Sequence, residues 1–200
     1  MNRDDVEVVE KTTPYQGYFR IDRYTIRHRL FRGGWSEPFT REVFERGHAV
    51  ALLPYDPRRD EVVLVEQFRT GAYAAHRGPW LLEVVAGIID PGEQPEHVAR
   101  REAHEEAGLE VRALELVSDY IASPGGMSHW VKVYVGHVDS TGAGGIFGLP
   151  DEHEDIRVEV LPFAKAFEQV TSGRICDAAS IIPLQWLALN RDSLRKRWTR

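Results

Sequence analysis

The sequence predicts an α+β protein, a mixed β-sheet with helices preceded by a small antiparallel sheet. Three observations carry this. Two apolar runs, 48–56 (HAVALLPYD) and 61–69 (EVVLVEQFR), flank the turn PRRD and read as a hairpin at the centre of the sheet. A stretch over 94–107 places Pro95 at its first turn and Gly108 just past its end, the arrangement that starts and stops a helix. Ahead of both, YFRIDRYTIRHRL and FTREVFERG set aromatic and branched residues among charges, as half-exposed strands do.

Taken in order, residues 1–16 are polar and weakly patterned, and no strand is assigned there. A long strand starts near Tyr18, Gly33 and Gly34 make a turn, and a shorter strand carries Phe39, Val43 and Phe44. Residues 1–45 thus form an N-terminal antiparallel sheet ahead of a main domain over 46–200. A sheet this small buries itself poorly and is expected to pack on the main domain or on a second subunit. After the hairpin, AYAAHRGPW reads as loop and 81–89 as one apolar strand region closed by DPGE. Strands follow at 111–121 and 131–138 around the loop SPGGMSH. The Gly-rich, then acidic, stretch 141–155 reads as a long loop. RVEVLPF is the last strand, 163–172 and 177–190 are helices, and 191–200 is a basic polar tail.

Composition narrows the function. The 200 residues are 42% hydrophobic and 28% charged with five Trp, which argues against a wholly disordered chain. No apolar run is long enough for a membrane helix, and the first residues lack a signal-peptide core, so a cytoplasmic protein with no membrane partner is expected. A single cysteine, Cys176, excludes an internal disulfide framework and a CxxC zinc site; it is read as buried and inert. The net charge of −6 gives no support to nucleic-acid binding. Arg outnumbers Lys by 21 to 4, which suits phosphate recognition and is equally explained by genome composition or surface style.

The sharpest feature is RREAHEEAGL. Glu102, Glu105 and Glu106 stand at i, i+3 and i+4, so a helix puts all three carboxylates on one face. Like charges there repel unless a cation offsets them, and Mg²⁺ prefers hard oxygen ligands of this kind. A solvated acidic face gives the same pattern. Ala99, Ala103 and Ala107 mark the opposite side as one for close packing, and Arg101 is placed to pair with Glu93.

The segment 87–109 also has a spacing of its own: Gly87, five residues, Glu93, seven residues, Arg101-Glu102, then Glu105-Glu106, Gly108 and Leu109. It resembles the signature of the Nudix hydrolase family at every fixed position, with Ala103 in the aliphatic slot. The resemblance implies an α/β/α sandwich with a mixed sheet and Mg²⁺ or Mn²⁺ bound by the glutamates, with a nucleoside diphosphate linked to another moiety as substrate. It assigns Glu102 and Glu106 as metal ligands, with Glu105 assisting or binding a further ion, the Ala86 carbonyl as another ligand, and Gly87, Glu93 and Arg101 as structural.

Segments such as FERGHAV, PWLLEVVAG, ASPGG, DEHEDIRVEV and DAASIIPLQWL are similar to the bacterial ADP-ribose pyrophosphatase group, and Pro124 stands sixteen residues after Gly108 as in that group. This implies hydrolysis of ADP-ribose to AMP and ribose 5-phosphate by a homodimer that exchanges its N-terminal strands. By the same resemblance Arg69 and Arg41 contact phosphates or ribose, and Tyr18 or Phe19 stacks on adenine, with Tyr18 favoured. Gly125 and His129 belong to the substrate loop; where the group can carry a glutamate, His129 stands instead. Glu152 is the expected general base and Glu154 a further metal contact, with Glu105 and Glu106 in the catalytic set. Another nucleoside diphosphate sugar, GDP-mannose or ADP-glucose, is the near alternative. A non-catalytic ADP-ribose sensor is the alternative of a different class, and mRNA decapping is disfavoured by the missing basic stripe.

Overall fold

The computed structural model describes residues 1–199; Arg200 and the side chain of Glu152 lie outside the described residues. The chain forms two compact units. One is Met1–His48 with Ile121–Trp130, and the other is Ala49–Tyr120 with the chain from Val131 onward.

The first unit is an antiparallel three-stranded sheet of β1 (Val6–Gln16), β2 (Arg20–His28) and β3 (Phe39–Glu45), in that order. The strand β1 lies where the sequence showed no pattern, and the reason is physical. All of its residues are exposed, so no face of it selects apolar side chains. Polar contacts tie it down instead. The fully buried Asp22 of β2 receives Lys11 at 2.8 Å and the Thr13 hydroxyl at 2.8 Å, along with Arg20 at 3.0 Å. The segment 121–130 joins β3, where the Phe44 N–H donates to the Gly126 carbonyl at 2.8 Å.

The second unit holds the eight-stranded mixed sheet. Its strands are β4 (His48–Asp56), β5 (Glu61–Phe68), β6 (Trp80–Glu83), β7 (Val85–Ile89), β8 (Ala113–Ile121), β9 (Trp130–His137), β10 (Gly145–Phe147) and β11 (Ile156–Pro162). The main path runs β10-β11-β5-β4-β9-β8, with β6 on β5 and β7 on β4. The β4–β9 pair is parallel, whereas β4–β5 and β5–β11 are antiparallel. The predicted hairpin is therefore central, and both its faces are covered. Val50, Leu52, Val63 and Val65 enter one core with the helix α2 (Pro95–Ala107). Ala51, Leu53, Val62 and Leu64 enter the other with α3 (Phe163–Ser172) and α4 (Ala178–Trp198). Burial on both faces explains why these strands read as unbroken apolar runs. The result is the expected α/β/α arrangement. At the hairpin turn Asp56 is buried and accepts from the backbone N–H groups of Arg58 (2.8 Å), Arg59 (3.1 Å) and Ser140 (3.0 Å).

Several local expectations are corrected. The predicted loop after β5 contains a short helix, α1 (Thr70–Ala74). The single strand region at 81–89 is two strands broken at Val84, whose N–H leaves the ladder to donate to the buried Ser180 hydroxyl at 3.0 Å. The stretch 141–155 carries β10 and a 3-10 turn at Pro150–Glu152. The basic tail continues α4 to Trp198, because Leu194 is fully buried, Arg195 donates to the Pro57 carbonyl at 2.8 Å, and Trp198 stacks on His137. Cys176 is exposed, and its neighbour Ile175 takes the core position instead.

Candidate active site

The helix α2 starts and stops as its sequence dictates. Gln94 stands at its N-cap and Pro95 at its first turn, and Gly108 follows at φ 64°, a left-handed conformation that suits glycine. Val98, Ala99, Ala103 and Ala107 are buried against the sheet, so a small-residue face brings the backbone close to β7. That approach delivers Glu106 into the interior, where it is 2% exposed. Its Oε2 accepts the Ala86 N–H at 3.1 Å and its Oε1 accepts the Gln67 amide at 3.4 Å. One turn earlier Glu102 lies over Gly87. A Cβ at position 87 would collide with the Glu102 side chain where it lies, so Gly87 is what lets Glu102 keep this position.

Arg101 organises the outer side of the cluster. It lies 3.0 Å from Glu102, 2.9 Å from Glu105 and 3.6 Å from Glu93. Glu93 in turn accepts the Asp90 N–H at 3.0 Å, which holds the DPGE loop on the helix. Glu154, whose carboxylate accepts the Leu149 N–H at 3.1 Å, adds negative charge to the same place. Burial raises Glu102 to about 7, with Glu105 and Glu154 adding to the rise against the pull of Arg101. Burial raises Glu106 to about 8, opposed by the Ala86 N–H and by Arg69 and reinforced by Glu102 and Glu154.

This donor set fits a hard divalent cation. Glu102 and Glu106, drawn out of water with Glu102 and Glu154 adding negative charge at Glu106, and a backbone stripped of its side chain at Gly87 are what such an ion offsets and needs. Among the described residues, no group of three His, Cys, Asp or Glu side chains stands ready-made around one point. Arg101 instead engages Glu102 and Glu105 together. Ala86 touches Glu106 through its N–H. Glu152, the expected base, ends the 3-10 turn, and its side chain lies outside the described residues.

Arg69 directly follows β5 in the same unit and donates from Nε to Glu83 at 2.7 Å. The other sequence-predicted substrate residues belong to the first unit. Tyr18 is 86% exposed, whereas Phe19 packs edge-on against Phe44 with centroids 5.0 Å apart. Arg41 lies over the Phe39 ring and donates to the Thr40 carbonyl at 2.8 Å. Gly125 precedes the Gly126 carbonyl that binds β3. His129 is buried, its Nδ1–H donating to the Gly47 carbonyl at 2.6 Å, and burial lowers its pKa.

The NUDIX domain model matches residues 45–180, a span that contains α2, β7 and the whole carboxylate cluster. The chain belongs to the Nudix family. Over 98% of its length this Nudix chain is 53% identical to the ADP-ribose pyrophosphatase of Escherichia coli (strain K12), covering 94% of that protein. It is 43% identical to the ADP-ribose pyrophosphatase of Haemophilus influenzae, with 100% of this chain and 93% of the relative covered. The GDP-mannose pyrophosphatase of Cronobacter sakazakii is more distant, at 32% identity over 92% of this chain and 96% of the relative. A crystal structure of an ADP compounds hydrolase shares the fold, with a TM-score of 0.71 at 19% identity and 96% of each chain covered.

Two polar residues of this Nudix site were not singled out from sequence, Gln67 and Glu83. Both stand in apolar strands, in VLVEQF and WLLEVV. A lone polar residue inside such a run is the signal available, since burying one is costly without a partner.

Proposed function

We propose that this Nudix chain hydrolyses the pyrophosphate of ADP-ribose to AMP and ribose 5-phosphate in a reaction that depends on Mg²⁺, with Mn²⁺ as a substitute. The observation that carries the reading is the 53% identity, along nearly the whole chain, to a relative named ADP-ribose pyrophosphatase. The inward-facing carboxylates of α2 support it.

In this reading the Ala86 carbonyl, Glu102 and Glu106 hold the metal, with Glu105 and Glu154 assisting. When bound, the ion supplies charge neutralisation on the phosphates and makes water a better nucleophile. The chain's own residues do the rest. Gly87 leaves room for Glu102 to reach inward, and Gln67 and the Ala86 N–H fix the Glu106 carboxylate. Glu93 and Arg101 brace the loop before the helix. Arg69 offers charged donors to the phosphate oxygens, the chemistry that suits such groups. Glu152 accepts the proton of the attacking water, with Glu105 and Glu106 completing the acid–base set. Arg41, Tyr18, Phe19, Gly125 and His129 contact the nucleotide sugar in a homodimer whose N-terminal strands are exchanged. Among the described residues no helix is long and apolar enough to cross a membrane.

The test is a product assay with ADP-ribose, ADP-glucose and GDP-mannose, each with and without Mg²⁺. Metal-dependent release of AMP from ADP-ribose, faster than turnover of the other two, is expected. Faster turnover of GDP-mannose would reassign the substrate, and tight ADP-ribose binding without turnover would make the chain a sensor.

A further inference from the structure

Arg69 is held by a residue whose own position is a buried one. Glu83 ends β6, which pairs with β5 in the register Val65↔Glu83 and Phe68↔Trp80. Arg69 directly follows β5, and its backbone N–H donates to the Pro79 carbonyl at 2.7 Å. Both residues thus hang from one rigid pair of strands. The Glu83 side chain is 12% exposed and the Arg69 side chain 39% exposed. The contact is one-sided: Nε of Arg69 meets Glu83 Oε2 at 2.7 Å, and among the described residues Glu83 is the hydrogen-bond partner of that guanidinium. Its two terminal amino groups therefore stay available for another ligand. Gln67, two residues before Arg69 and so on the same face of the extended chain, donates to Glu106 at 3.4 Å, which brings Arg69 to the side of the carboxylate cluster.

The backbone beyond Glu83 is pinned as well. The Val84 N–H donates to Ser180 Oγ at 3.0 Å, with both residues buried. Asp177 caps α4 by accepting the Ser180 N–H at 2.8 Å and so fixes that serine. The DAAS segment thereby sets the break between β6 and β7. Glu83 stands on one side of the break, and Ala86, which touches Glu106, stands on the other.

We propose that Glu83 is a positioning residue: it clamps the Nε edge of Arg69 so that the terminal amino groups are presented to a pyrophosphate oxygen beside Glu106. The inference rests on the reading of Arg69 as a phosphate contact. A buried ion pair is often no more stabilising than apolar residues of similar size such as leucine, so stability is weak grounds for a glutamate at position 83. What leucine cannot do is orient a guanidinium.

The test is a double-mutant cycle with Glu83→Gln, Arg69→Ala and both together, read as KM and kcat for ADP-ribose and as calorimetric affinity for inorganic pyrophosphate in Mg²⁺. Glu83→Gln is expected to raise KM and weaken pyrophosphate binding by about 10- to 100-fold, the cost of a misplaced contact group, with the smaller share of the effect in kcat. The double variant is expected to lose no more than Arg69→Ala alone, because coupled residues are non-additive. An unchanged KM in Glu83→Gln, or losses that multiply in the double variant, would overturn the positioning role. Should Glu83→Gln fold poorly, Glu83→Asp keeps the charge, shortens the reach and is read by the same criteria. If the wild-type chain fails to hydrolyse ADP-ribose, the functional reading falls, while the pyrophosphate cycle still decides the role of Glu83.

Discussion

The two sheets of this chain are built on opposite principles. In the eight-stranded sheet, β4 and β5 are buried on both faces, and alternate residues feed two separate cores. In the three-stranded sheet, β1 has no buried residue at all, and its attachment to β2 includes the Asp22 knot with Lys11 and Thr13 and the Arg27–Glu7 pair at 2.6 Å. Apolar burial is non-directional and tolerant of detail. A charged knot depends on each partner, and its exposed members are weakened by salt. One chain thus keeps a platform buried on both faces in one unit and a surface-dominated strand in the other.

Breaking the platform gives the largest effect. Leu53→Ala removes a fully buried side chain from the core shared with α3 and α4, and unfolding free energy is expected to fall by about 2–5 kcal/mol in urea denaturation. A loss below about 1 kcal/mol would mean that this core collapses freely around the missing atoms.

Asp56 gives the next effect, through pH. Burial pushes its carboxyl up, but the N–H groups of Ser140, Arg59 and Arg58 and the Arg59 side chain pull harder, and the net result is a pKa lowered to about 2. A depressed folded-state pKa adds stability above the unfolded value, and that stability is lost as pH falls toward the folded value. Asp56→Asn is therefore expected to cost about 1.5–3 kcal/mol at pH 7, the scale of hydrogen bonds to a charged group. The gap to wild type should close between the unfolded value of 3.8 and about 2. A constant gap across that window would show that the charge is not what matters.

The surface-held sheet gives smaller and more local effects. In Asp22→Ala, amide hydrogen exchange in β1 is expected to quicken while exchange in β4 and β5 is unchanged. Equal acceleration in both sheets would erase the contrast between them. Smallest of all, Val8→Ala in β1 should change stability by no more than about 0.5 kcal/mol, as substitutions at exposed sites usually do; Val8 is 54% exposed.

The same contrast governs what could be read from sequence. The hairpin of β4 and β5 was legible because two-sided burial writes itself as apolar runs, and α2 because Pro95, Gly108 and the alanine face mark its limits and its packing side. The strand β1 was not, since a strand with no buried face leaves no period. The last turns of α4 were hidden for a related reason: their basic residues read as tail, and what holds them, the buried Leu194 and the contacts to Pro57 and His137, depends on residues far away in the chain. Within the site, the glutamates of α2 were visible because helical spacing is local. Glu83, Gln67 and Ser180 were not, because their partners are 14, 39 and 96 residues away in the chain.

The carboxylate cluster is the centre of the account, and Glu106→Gln tests it most directly. Glu106 is 2% exposed and receives amide donors, and burial raises its pKa to about 8, so the near-isosteric glutamine keeps the shape and the neutral form that burial favours while removing the carboxylate a cation would need. With ADP-ribose and Mg²⁺, turnover is expected to drop by about 100-fold or more, the scale of losing a key electrostatic or acid–base group. Thermal stability of the metal-free protein should stay equal to wild type or rise. Turnover near the wild-type rate in a folded Glu106→Gln variant would contradict the claim that this carboxylate serves the hydrolysis.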